Sequence, residues 1–132
     1  MQYKTDLKEK FTVVTFLDAS ITSNSVPEIN ELTQKILSQS PKNLVVNCGQ
    51  VKQWDSSIIA ALANAQEQFY DNNASFVICA LSDTLQNSID HSEYAEMMNL
   101  TPTETEAWDI VQMEEIEREL LDSDDMEFSA EN

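Results

Sequence analysis

Glycine is almost absent from this chain, which has a single one, Gly49, among 132 residues. Glycine-rich loops allow a backbone to approach phosphate groups closely, and the P-loop and dinucleotide-binding motifs need several glycines at fixed spacing. The sequence therefore excludes both of these classes of nucleotide-binding site.

Metal-binding residue types are also scarce. His91 is the only histidine, and Cys48 and Cys79 lie in separate apolar segments without a C-x-x-C pair. Zinc and iron–sulfur sites need clustered Cys or His ligands at short spacing, so we expect neither a metal nor another cofactor. The two cysteines are typical of reduced thiols that pack in the core of a cytoplasmic protein.

Long apolar runs and positive charge are missing as well. No segment approaches the roughly 18 apolar residues of a membrane span, and the polar start MQYKTDLKEKF lacks the apolar centre of a signal peptide. The 24 acidic residues outnumber the 7 Lys and Arg residues, which gives a net charge of −17. Such a chain repels nucleic acid and anionic membranes, so its partners, if charged, are expected to be basic proteins. The polar start and the lack of an apolar span predict a cytoplasmic protein.

The acidic residues are concentrated at the C-terminus. Residues 1–103 carry 12 acidic and 6 basic groups, whereas residues 104–132 carry 12 acidic groups and only Arg118. We predict one folded domain over residues 1–121 and an acidic, disordered tail over residues 122–132, because that last segment is charged and nearly free of aromatic residues.

Apolar runs and helical stripes alternate along the domain. Three runs rich in β-branched residues predict buried strands over Lys10–Leu17, Leu44–Cys48 and Ala74–Leu81. Helices are predicted after each of them, and a short edge strand near Met97–Leu100 precedes a last helix that begins at the capping box Thr103-x-x-Glu106. The pattern predicts an α/β fold, with a mixed, mostly parallel sheet of four to five strands covered by helices.

A carboxylate and two hydroxyls follow the second buried strand, at Asp55-Ser56-Ser57. Local physics offers two interpretations: the side chains cap the next helix, or Ser56 is a group that another protein modifies. Asp55, Ser56 and His91 are the residue types of a hydrolase triad, but the segment resembles no nucleophile elbow and offers no oxyanion loop. We therefore predict no catalytic residues.

The wider segment LVVNCGQVKQWDSSIIAAL resembles the STAS domain, the family of anti-sigma factor antagonists. Three further landmarks follow the family's order: Thr15–Asp18 resembles its early Gly-x-Leu-Asp, FVICALSDTLQNSI resembles its later strand and short helix, and Thr103–Val111 resembles its last helix. The resemblance covers roughly residues 10–115.

The resemblance implies a protein-binding switch, not an enzyme. In this family the first serine after the aspartate is phosphorylated by a kinase-like anti-sigma factor, the phosphorylated form releases its partner, and a serine phosphatase resets the switch. The acceptor here would be Ser56, with Ser57 as second choice. The implied partner-binding residues are Asp18, Asp55, Ser56, Ser57, Ile58, Ile59 and Ser82.

Two departures from the family pattern keep an alternative open. Ile58 and Thr15 replace glycines of the family, and both replacements fall near the implied docking surface. A constitutive STAS scaffold or subunit, which binds a partner without phosphorylation, is the second hypothesis. Two further alternatives concern apolar residues. One of the adjacent Ile58 and Ile59 is either an exposed partner contact or buried at the start of the helix. The apolar stripe Ile110–Leu121 either belongs to the core or, in its second half, contacts another chain.

Overall fold

A computed structural model describes residues 1–131, with side chains over residues 1–121. Its elements in chain order are β1 (Tyr3–Leu7), β2 (Phe11–Phe16), β3 (Ser20–Ile21), a 3₁₀ helix (Ser23–Ser25), α1 (Val26–Leu37), β4 (Asn43–Asn47), β5 (Gln53–Trp54), α2 (Ser56–Asp71), β6 (Phe76–Cys79), α3 (Asp83–Asp90), a second 3₁₀ helix (Ala95–Met97), β7 (Leu100–Thr101) and α4 (Glu104–Glu131). The predicted flexible tail, residues 122–132, lies outside the residues whose side chains are described.

A five-stranded sheet in the order β1-β2-β4-β6-β7 forms the centre of the domain. Strand β1 pairs antiparallel with β2, and every other pair in this sheet is parallel. The prediction of a mixed, mostly parallel sheet is confirmed. Strand β7 is the short edge strand that was expected slightly earlier in the chain.

Strand β1 was not predicted from the sequence, which suggested only a polar start before residue 10. All five of its residues are exposed, so the segment has no alternation of apolar and polar residues that would indicate a half-buried strand. It is an edge strand, and the charges of Lys4 and Asp6 on it are a usual protection against pairing with another sheet edge.

Two apolar layers lie on opposite faces of the sheet, since successive side chains of a strand point to opposite sides. On β2, Val14 and Phe16 pack with α1, α2 and α3, whereas Phe11 and Val13 pack against α4. Cys48 and Cys79 are free and buried, one in each layer. Their burial confirms the predicted role as apolar packing residues. The same burial raises the pKa of Cys48 far above its usual range and that of Cys79 to about 12.

Helix α4 is hydrogen-bonded to strand β4 through Asn43 and Asn47, the first and last residues of the strand. Asn47 Nδ2 donates to Glu104 Oε1 at 3.2 Å in the first turn of the helix, and Asn43 Nδ2 donates to Glu115 Oε1 at 2.7 Å three turns later. The helix therefore runs antiparallel to the strand. The Thr103 half of the predicted capping box is confirmed, because Thr103 Oγ1 accepts a hydrogen bond from the Glu106 amide at 3.2 Å.

A polar network closes the far end of this contact. Arg118 donates to Glu115 Oε1 at 3.0 Å and to Ser75 Oγ at 3.2 Å. The hydrogen bond from Asn43 lowers the pKa of Glu115, burial opposes that effect, and Arg118 adds to the lowering. The ionised form of Glu115 thus helps to hold α4 on the sheet.

We expect Glu115→Gln to lower the free energy of unfolding by about 1 kcal/mol at neutral pH, because a half-exposed charged acceptor is lost. Since the pKa of Glu115 is depressed in the folded state, its contribution is complete above the unfolded-state pKa of about 4.3 and disappears as pH falls through the folded-state value. Urea unfolding of both proteins across this pH range measures the difference.

The exposed Glu119 on the same helix provides the matched control for that prediction. Glu119→Gln should change the free energy of unfolding by less than about 0.5 kcal/mol at any pH. A Glu115→Gln effect that stays constant down to acid pH would contradict the proposed role of the carboxylate.

Candidate functional site

Three loops follow the carboxyl ends of the parallel strands β2, β4 and β6. They carry Asp18, the Asp55-Ser56-Ser57 junction and Ser82, respectively. In open α/β sheets the carboxyl ends of the strands are the usual place for a binding site. The sequence-predicted residues therefore fall on one edge of the domain.

The first two loops are joined through their backbones. Ala19 O accepts hydrogen bonds from the amides of Lys52 at 2.7 Å and Gln53 at 3.1 Å, and Ile21 O accepts from the Asp55 amide at 3.1 Å. These bonds form the small parallel pair of β3 and β5. The backbone of the Asp55-Ser56-Ser57 junction is therefore positioned by its hydrogen bonds to the β3 segment.

Asp55 occupies the N-cap position of α2 with an extended backbone, yet its side chain makes no capping hydrogen bond there. Its Oδ2 instead accepts a hydrogen bond of 2.7 Å from the backbone amide of Ser23. Thr22, which precedes the 3₁₀ helix Ser23–Ser25, offers no side-chain cap to it. Asp55 supplies that missing acceptor from 32 residues away, so the interpretation of Asp55 as the cap of its own helix is wrong.

The two serines of the junction differ in accessibility. Ser56 is exposed in the first turn of α2. Ser57 is half-buried, and its Oγ is buried without a hydrogen-bond partner among the described residues. Of the two serines, Ser56 is therefore the accessible residue.

Both isoleucines after the serines are buried, with exposed fractions of 0% for Ile58 and 4% for Ile59. Of the two alternatives left open by the sequence, burial at the helix start is confirmed for both residues, and the alternative of an exposed partner contact is wrong. Helix α2 packs against both the sheet and α1, so adjacent positions at its start both find apolar neighbours. Neither side chain is available at the surface, although both were among the predicted partner-binding residues.

Asp18 and Ser82 lie on the same edge, but their polar atoms serve the local structure. Asp18 is half-buried, and its Oδ2 accepts a 3.1 Å hydrogen bond from the Gln2 amide. Ser82 is exposed, and its Oγ caps α3 by accepting a 3.2 Å hydrogen bond from the Leu85 amide. Of the predicted residues, Ser56 alone is exposed with no hydrogen bond from its side chain recorded in the described part of the chain.

His91, the remaining candidate, contacts a carbonyl of its own helix. His91 ends α3, and its Nδ1 lies 2.9 Å from Asn87 O, which confirms the predicted contact with a local carbonyl. Within the described residues no group of three or more His, Cys, Asp or Glu side chains is placed to hold a metal ion. None of the helices over the same residues combines the length and the apolar character needed to cross a membrane.

Sequence reasoning missed two features of this edge. Ser23 gives no local signal, because its partner Asp55 is distant in sequence. Ala80, which follows β6, has a φ of 64°, a left-handed conformation that costs an L-residue roughly 1–2 kcal/mol. Strained residues of this kind cluster at functional sites, and nothing in an alanine predicts one.

Comparison with known proteins places these observations in a family. The family pattern described as "STAS domain" matches residues 4–107. A STAS domain protein described as an anti-sigma factor antagonist, from Planctomyces limnophilus, superposes with a TM-score of 0.69 at 16% identity, covering 80% of this chain and 93% of that one. A search of curated proteins gives no match.

Two structures of one further protein are similar. The anti-sigma factor antagonist SpoIIAA in its unphosphorylated form has a TM-score of 0.69 at 16% identity, covering 84% of this chain and 96% of that one. The Bacillus cell fate determinant SpoIIAA in its phosphorylated form has a TM-score of 0.63 at 16% identity, with coverage of 83% and 99%. At these identities the likeness concerns the fold.

We expect Asp55→Ala to lower the free energy of unfolding by about 1–2 kcal/mol, because the Ser23 amide loses a charged acceptor. Amide hydrogen exchange should show faster exchange at Ser23, with the central strands unchanged. Asp55→Asn is the control, since its side-chain oxygen can still accept the bond. Equal protection of Ser23 in the wild-type chain and Asp55→Ala would contradict the assignment.

Proposed function

Because this chain belongs to the STAS domain family, we propose that it is a non-enzymatic protein-binding switch of the anti-sigma factor antagonist type. In this proposal, phosphorylation of Ser56 gates its binding in a bacterial, cytoplasmic partner-switching pathway. The partners are an anti-sigma factor or serine kinase-like protein and a serine phosphatase that resets the switch. Two free cysteines support the cytoplasmic location.

The observation that carries the proposal is the exposed Ser56 at the start of α2. The first amides of a helix have no partner within the helix and attract anions. The side chain of Asp55 binds Ser23 and does not cap α2. The Ile58 amide donates to the backbone carbonyl of Asp55 at 2.9 Å, so the amides of Ser56 and Ser57 are the ones available to a phosphate on Ser56. Phosphorylation there is compatible with the fold as it stands.

The phosphate would act on a partner through charge. It adds about −1.5 to −2 charges at neutral pH, next to the carboxylate of Asp55. A partner surface that fits the neutral hydroxyl would have to desolvate this group or face like charges. Truncation or repulsion at such contacts typically changes affinity by about tenfold or more.

The two departures from the family pattern are consistent with this proposal, because both side chains are buried. Ile58 is completely buried, and Thr15 is 9% exposed. Neither side chain projects from the surface around Ser56, so neither obstructs a kinase that approaches its hydroxyl.

Incubation of the purified chain with ATP and an extract of its native cells should place phosphate on Ser56. Ser57 is an internal control in the same peptide, because its hydroxyl is buried and inaccessible to a kinase. Fragmentation mass spectrometry distinguishes the two sites, and Ser56→Ala should abolish the signal. Phosphate on Ser57 alone, or on neither serine, would contradict the gating proposal.

Ser56→Asp should weaken binding of the partner by about tenfold or more, whereas Ser56→Ala should retain it. The partner is the protein recovered from native extract by the unphosphorylated chain, and its affinity is then measured with both proteins purified. Ser40→Asp is the matched control, because it adds the same charge at an exposed residue between α1 and β4. If Ser56→Asp and wild type bind equally, the constitutive scaffold becomes the preferred function.

A further inference from the structure

Helix α4 carries a line of large apolar side chains that the domain leaves uncovered. Met113, Ile116 and Leu120 are 59%, 53% and 56% exposed, respectively. Their spacings of three and four residues put them on one side of the helix. Scattered single exposed apolar residues are ordinary, but a contiguous line of them marks an interaction surface.

This line, called here the α4 stripe, faces away from the body of the domain. The body-facing residues Ala107 and Val111 are both completely buried. At about 100° per residue, the three residues of the stripe lie about half a turn around the helix from these two. The stripe is therefore not an incomplete edge of the core, and the expectation that this segment belongs to the core is wrong for its second half.

Acidic side chains border the stripe. Glu117 lies on one side of it and Glu119 on the other, and both are exposed. Residues 104–132 hold 12 acidic groups and one basic group. That basic group, Arg118, is engaged with the domain through Glu115 and Ser75.

These charges select among the possible occupants. Charges beside an apolar helix stripe set the choice of partner helix, and like charges across the contact are unfavourable. A second copy of α4 would oppose Glu to Glu, and an anionic membrane would repel the helix. We propose that the α4 stripe binds an amphipathic helix of a partner protein that carries Lys and Arg beside its own apolar stripe, in the helix-to-helix mode of recognition.

The α4 stripe is separate from the Ser56 site. Helix α4 covers one face of the sheet, whereas α2 and its Ser56 belong to the other. The two surfaces can be occupied together, and a substitution in one is not expected to change binding at the other. Failure of this proposal would thus leave the proposed function untouched, and the reverse also holds.

The test uses the full chain and a labelled synthetic helix of about 18 Leu and Lys residues, long enough to be helical. Its Leu residues are spaced three and four apart, so that they form one apolar side, and Lys fills the other positions. The affinity of this peptide for the chain is measured by fluorescence anisotropy. Ile116→Ser/Leu120→Ser should weaken binding at least about tenfold, because two apolar contacts are lost. The control Tyr3→Ser/Leu7→Ser removes exposed apolar residues from β1 and should leave affinity unchanged.

A second pair of variants tests the bordering charges. Glu117→Gln/Glu119→Gln should weaken binding about threefold, whereas Glu31→Gln/Glu96→Gln, with the same change in net charge at other exposed positions, should not. All four sites of substitution are exposed, so thermal unfolding should be unchanged.

Three results would overturn the proposal. The first is a loss of peptide affinity that is equal for the stripe variants and their controls. Equal affinity for a peptide of the same composition in scrambled order counts in the same way, because binding would then reflect net charge alone. Another is no binding to the wild-type chain. The third is a wild-type dimer in light scattering that Ile116→Ser/Leu120→Ser separates, because the occupant would then be a second copy.

Discussion

The site depends on the hydrogen bond that the Ser23 amide donates to the Asp55 carboxylate. A short bond to a charged acceptor is about twice as strong as a neutral one, and at 2.7 Å this one joins segments that are 32 residues apart. It also determines what the carboxylate does not do. Because its carboxylate caps the 3₁₀ helix, the Asp55 side chain does not cap α2. The Ile58 amide is bound to the Asp55 carbonyl, so the amides of Ser56 and Ser57 are the ones left for an anion at the start of α2.

The sheet divides the domain into two independent surfaces. Its carboxyl edge supports Ser56 through paired loop backbones. In the proposed switch, a charge added there would therefore act on a docked partner without any refolding of the domain. The face of the sheet opposite to α2 binds α4, through hydrogen bonds from Asn43 and Asn47. This anchoring fixes the rotation of the helix about its axis, and with it the direction in which the α4 stripe points.

Much of the fold could be predicted from the sequence, because the central strands are continuous apolar runs and the helices have clear stripes. The Thr103 cap and the local role of His91 followed from short-range chemistry. Strand β1 was not predicted because an exposed edge strand has no pattern of apolar residues. The start of α2 was misjudged because the periodicity of one helix does not reveal that two neighbouring elements cover both Ile58 and Ile59. The partner of Asp55 could not be predicted, since it depends on how two distant loops meet.

The most direct test of this account is a pH titration of backbone amide proton shifts by NMR. An amide that donates to a carboxylate changes its shift when that carboxylate is protonated. The account predicts that Ser23 shows the large change linked to Asp55 and that Asp55→Asn removes it, while the amides of Ser56 to Ile58 change little. A large titration at Ser57 or Ile58, with none at Ser23, would mean that Asp55 caps its own helix, and the open phosphate site at Ser56 would not exist.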